Sequence, residues 1–141
     1  MKSAHDLLQY NTGMDILTGN VKQVLEKVEI ITIATKGEKR PHLVATWGDF
    51  LRSLDIDDGK TIVIPAGGYE QTEKNLERDN QVEVLIGSKE VMGKSSMGTG
   101  YRLKGHAEIL TEGELMELVK SKYSWARAAL VIVVEKVEQL L

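Results

Sequence analysis

Residues 61–75, reading TIVIPAGGYEQTEKN, hold the arrangement in this chain best suited to chemistry. A short apolar strand runs through Pro65 into the pair Gly67-Gly68, and a polar segment from Thr72 reads as a short helix. Glycines free a backbone to bend, and a helix N-terminus offers unpaired amides at the positive end of a dipole. Strand, glycines and helix in that order therefore suit a phosphate. Gln71 stands where such a site would welcome a lysine. The same residues also suit a plain strand-to-helix turn with Thr72 as its cap, and the spacing alone does not choose between the two.

Other candidates are weaker. The stretch from Gly87 to Ser95 imitates a nucleotide-binding loop, but five residues separate its glycines where the motif needs four, and a strand follows it rather than a helix. It reads as a glycine-rich connection, of the kind that can still cover a ligand. His5, His42 and His106 show no metal spacing and read as structural residues. The chain has no cysteine, which excludes disulfides, thiolate nucleophiles and thiolate metal sites. No serine sits in a nucleophile elbow, and no residue stands out as a catalytic acid or base. Trp47 and Trp125 suit core or subunit-interface positions, or one of them could line a flat aromatic ligand.

The elements that must position these residues follow from periodicity. Residues 1–19 read as a loosely helical arm and residues 20–141 as one domain. Asn20 and Gln23 resemble a capping box before Val21, Val24, Leu25 and Val28 at helical spacing. Strands are expected at 30–35, 42–47, 61–64, 82–86, 101–110 and 128–137. A helix is expected at 72–79 and a long loop at 87–100. Thr111 with Glu114 reads as a second capping box, opening a helix whose inner face holds Leu115, Met116, Leu118 and Val119. Six strands with such short connections leave no room for parallel crossovers, so the residues predict a mainly β, antiparallel barrel with short peripheral helices.

Composition narrows the setting. A net charge of −3 with dispersed basic residues gives no footprint for nucleic acid. No run approaches the ~18 apolar residues of a membrane span. The N-terminus lacks the pattern of a signal peptide, so a cytoplasmic protein with no membrane partner is expected.

Several blocks in order resemble one family. They are IATKG at 33–37, PHLVATW at 41–47, IVIPAGGYEQTEKNLERD at 62–79, GTGY at 98–101 and WARAALVI at 125–132. Together they resemble the small FMN-binding proteins of sulfate-reducing bacteria, within the FMN-binding split-barrel group that includes pyridoxamine 5′-phosphate oxidase. The likeness runs from about residue 24 to residue 141. It implies a six-stranded antiparallel split barrel of Greek-key type, working as a homodimer with one FMN in each of two grooves between subunits. It further implies that Ala45, Thr46 and Trp47 run beside the flavin, and that Pro65, Gly67, Gly68, Gln71 and Thr72 receive the phosphate and ribityl chain. Trp125 and Leu141 would approach the ring from the partner subunit. The chain departs from the family at Ala45, where the pattern has Asn, and at Gln71, where it has Lys; Lys74, Lys89 and Arg40 are candidates to replace that charge. The expected function is an electron carrier or small flavin-dependent oxidoreductase with a redox partner protein. The alternatives are a pyridoxamine 5′-phosphate oxidase-like or flavin reductase enzyme, and a non-redox or haem-binding module on the same barrel.

Overall fold

A computed structural model describes residues 15–141. Residues 1–14, most of the expected arm, lie outside the described residues. The chain order is α1 (Gly19–Lys27), β1 (Ile30–Lys36), β2 (Pro41–Trp47), α2 (Gly48–Leu54), β3 (Thr61–Ala66), α3 (Glu70–Arg78), β4 (Gln81–Met92), β5 (Met97–Leu110), α4 (Glu114–Lys122) and β6 (Ala128–Gln139). The six strands form one curled antiparallel sheet in the order β2-β1-β4-β5-β6-β3, bearing out the mainly β, six-stranded reading.

Alternation along β6 shows why the sheet curls around one core and carries a second. Leu130, Ile132 and Val134 pack inside the curl with Ile31, Ile33 and Val84. Ala129, Val131 and Val133 point the other way, onto Leu115, Met116 and Val119 of α4. A strand covered on both faces reads as a continuous apolar run, as Ala128 to Val134 does. The ladder between β5 and β6 shifts register at Lys104/Gly105. A Cβ on Gly105 would stand 2.0 Å from the Val133 carbonyl oxygen. Gly105→Ala should therefore lower stability by about 1–3 kcal/mol, read as a drop in thermal midpoint, because the strands must part to admit the methyl.

Several boundaries differ from expectation. The expected loop at 87–100 is the continuation of β4 and β5, with Gly87 paired to Gly100 and only residues 93–96 turning. Glycine there relieves crowding between strands rather than breaking them. Neither capping box forms. Asn20 Nδ2 donates to the Met92 carbonyl at 3.2 Å and to Tyr101 Oη at 2.7 Å, while Gly113, at φ 97°, takes the N-cap position of α4 in place of Thr111.

A candidate anion cradle beside two tryptophans

Helix α3 begins at Glu70, two residues earlier than expected, so Thr72 lies inside its first turn and is not its cap. Tyr69 takes the N-cap position at φ 69° and ψ 28°, the left-handed region that glycine usually fills. Holding a tyrosine there costs on the order of 1–3 kcal/mol, and the contacts of its side chain offset the strain. The Tyr69 hydroxyl donates to the Ala45 carbonyl at 3.1 Å and also bonds Thr46. Burial pushes the phenol above its ordinary value, against a smaller opposing effect of the bond to Thr46. It stays protonated at neutral pH and straps the end of β2 to the glycine turn.

The turn is rich in free donors. Among the described residues, none of the backbone amides at 68–72 donates to another group of the chain; Glu73 N, bonded to the Tyr69 carbonyl at 2.9 Å, is the first that does. The Thr72 side chain is fully buried, and its hydroxyl has no hydrogen-bond partner among the described residues. Buried polar groups are almost always satisfied, so an orphaned hydroxyl beside free amides at a helix N-terminus fits an oxyanion. Gln71 does not add charge. Its Nε2 donates to Asn75 Oδ1 at 2.9 Å, and Asn75 in turn donates to Thr35 Oγ1 at 3.0 Å, so Gln71 lies back along the helix.

Flat apolar surface adjoins the cradle. A Cβ on Gly67 would sit 3.3 Å from the six-membered ring of Trp125, a tight contact, so the turn lies close against that ring. Trp125 remains 53% exposed while packing on Phe50 and Tyr123, with centroids 5.6 and 5.5 Å away. Trp47, 52% exposed, follows Thr46 and pairs with exposed Ile30. Pro65 is buried in β3, an edge strand, where a missing amide is tolerated.

The structure thus sets Trp125 against Gly67 of its own chain, where the resemblance had it arriving from the partner subunit. The Tyr69 strap ties the turn at 67–72, which follows Pro65, to Ala45 and Thr46 at the end of β2 next to Trp47. Leu141 stands apart. Its carbonyl accepts from Thr99 Oγ1 at 2.9 Å and from Lys94 N at 3.1 Å, beyond the far end of β6. Eleven residue steps of strand, roughly 36 Å of contour, separate Ala128 beside the cradle from Gln139. There Leu141 lines an open trough of ≈ 1020 Å³ with Leu140, Ile30, Thr32, Leu85 and Met97. Of the candidate replacement cations, Arg40 and Lys74 share a ≈ 500 Å³ hollow with Gln71, whereas Lys89 borders the trough.

Two residues at the cradle escaped the sequence reading, Tyr69 and Arg127. Arg127 Nε donates to the Gly68 carbonyl at 3.0 Å, and its backbone amide donates to the Ala66 carbonyl at 2.9 Å. Its Nη2 lies 2.9 Å from Glu73 Oε1, an ion-pair contact without hydrogen-bond alignment. Arg127 sits within the WARAALVI block, but only the pairing of Ala66 with Ala128 reveals what it touches.

A family model described as pyridoxamine 5′-phosphate oxidase matches residues 17–141. The chain belongs to the pyridoxamine 5′-phosphate oxidase family. A relative named FMN-binding protein, from Nitratidesulfovibrio vulgaris, is 43% identical over 126 residues, covering 89% of this chain and 100% of its own. Among solved structures, HupZ from Group A Streptococcus superposes with a TM-score of 0.63 at 26% identity, over 84% of this chain and 89% of that one. An FMN-binding protein from Syntrophomonas wolfei superposes with a TM-score of 0.60 at 14% identity, over 86% of this chain and 84% of its own, a likeness of fold alone. The pyridoxamine 5′-phosphate oxidase match includes the cradle, the Tyr69 strap, Arg127 and both ends of β6.

Proposed function

We propose that the protein binds FMN without a covalent bond, at the interface of a homodimer, and serves as an electron carrier. The orphaned Thr72 hydroxyl beside the free amides carries this reading. FMN phosphate is an oxyanion of nearly two charges, and this donor set is complementary to it. Thr72 and the amides at 68–72 would hold the phosphate, and Trp47 and Trp125 would give the ring a flat apolar wall. When bound, FMN supplies reversible electron transfer; the protein supplies orientation and exclusion of water. Membership of the family and the 43% identical FMN-binding relative support the cofactor.

The distribution of apolar surface supports the dimer. Leu43, Trp47, Ile30, Leu85 and Leu141 are all exposed, and strand pairing joins the rows of the first four across β2, β1 and β4. Contiguous apolar surface of this kind marks an interface. Leu141 lines the same trough as Ile30 and Leu85, and in this reading the partner's copy would lay its C-terminus against the ring.

The visible spectrum of the purified protein is the direct test. A flavin spectrum with FMN released on denaturation is expected; a colourless protein that takes up no added FMN overturns the reading. Turnover with reduced nicotinamide or pyridoxamine phosphate would replace the carrier assignment with an enzymatic one. Because Gln71 adds no charge, Gln71→Lys should tighten FMN about tenfold in a fluorescence titration, the worth of one charge-assisted contact of about 1.5 kcal/mol. An unchanged affinity would mean that Arg40 or Lys74 already supplies that charge.

A further inference from the structure

Helix α3 opens with two carboxylates, Glu70 and Glu73, in its first turn. They favour the helix through its dipole, yet they repel any anion placed at the same end. Arg127 answers both. Its Nη2 is 2.9 Å from Glu73 Oε1, and its Nε is 4.0 Å from Glu70 Oε1. The guanidinium also fixes the backbone. Its Nε holds the Gly68 carbonyl at 3.0 Å. In a trans peptide the amide points opposite to the carbonyl, so this bond turns the Tyr69 N–H away from Arg127, and that N–H has no partner among the described residues. The same bond helps hold Tyr69 in its strained left-handed conformation.

We propose that Arg127 is a positioning residue for the phosphate: it orients the Gly68–Tyr69 peptide and offsets the charges of Glu70 and Glu73, so the preference for FMN over riboflavin depends on it. This rests on the reading of the turn as the FMN phosphate site. It predicts a selective effect, because riboflavin carries the same ring and ribityl chain without the phosphate.

The experiment compares the affinities of FMN and riboflavin by flavin fluorescence. Arg127→Gln should weaken FMN by about tenfold or more, the scale of a lost charge-assisted interaction, and leave riboflavin within about twofold. Arg127→Lys, which keeps the charge without the planar fork, should fall between wild type and Arg127→Gln. Adding Glu70→Gln and Glu73→Gln to Arg127→Gln should restore part of the lost FMN affinity, the part owed to charge, and leave the part owed to the Gly68–Tyr69 peptide. Glu70→Gln alone, on an exposed side chain, should tighten FMN by roughly two- to fivefold with riboflavin unchanged; this arm serves even if Arg127 variants fold poorly. Equal losses for both ligands, or no recovery in the triple variant, overturn the assignment while leaving the cofactor reading intact. Wild-type protein that takes up neither ligand overturns both.

Discussion

Replacing Leu85 with arginine is expected to leave a folded monomer that no longer retains FMN. Leu85 points outward from β4, while its neighbours Val84 and Ile86 fill the inner core. At 49% exposed, it contributes little to the fold of a single chain. It borders the apolar trough that a second copy would cover. A two-fold interface counts the substitution twice. Each copy loses about 0.7–1.5 kcal/mol of apolar burial, half the worth of a fully buried leucine, and each must also desolvate a guanidinium. The sum is large enough to weaken association by about a thousandfold or more, at about 1.4 kcal/mol per decade. Sedimentation should show the monomer, and flavin absorbance at the same concentration should fall with it. A dimer that persists with its flavin would place the interface on another face.

The second expected result separates stability from binding at one atom. Thr72→Val keeps the branched shape and removes only the hydroxyl. That hydroxyl is fully buried and makes no hydrogen bond among the described residues. Its desolvation is therefore uncompensated without ligand, and the valine protein should be more stable by roughly 1 kcal/mol. Valine and threonine have similar helix propensities, so the helix itself is neutral to the exchange. FMN affinity should fall by about tenfold to a hundredfold, the worth of a hydrogen bond to a charged group at about 1.5–3 kcal/mol. Thermal melting of the ligand-free protein and fluorescence titration with FMN measure the two halves. A lower melting point with unchanged FMN affinity would make Thr72 an ordinary structural residue.

Much of the fold was legible because strands alternate and ordered sequence blocks are specific. The strand cores at 30–35, 42–47 and 128–137 lie where the pattern put them. What failed was local punctuation overridden by distant partners. Gly87 and Gly100 signal a loop locally, yet they face each other across a ladder. Asn20 has the chemistry of a cap, but Tyr101 and the Met92 carbonyl claim its side chain. The site was legible as a list of residues more than as an arrangement. Gly67, Gly68 and Thr72 announce a turn near a helix start, whereas Tyr69 in a glycine-like conformation moves that start two residues earlier. Arg127 was invisible because about sixty residues of chain separate it from Gly68, and only β3–β6 pairing brings them together.

That pairing also constrains how the protein is made. Among the described residues strand β3 pairs only with β6, and Thr61 waits for Val133, about seventy residues downstream. During synthesis the earlier strands emerge with one sheet edge and two apolar layers uncovered until residues 128–139 leave the ribosome. Closing such distant contacts is slow, on the millisecond-to-second scale of β-rich domains. The nascent chain spends that interval with apolar segments open to aggregation.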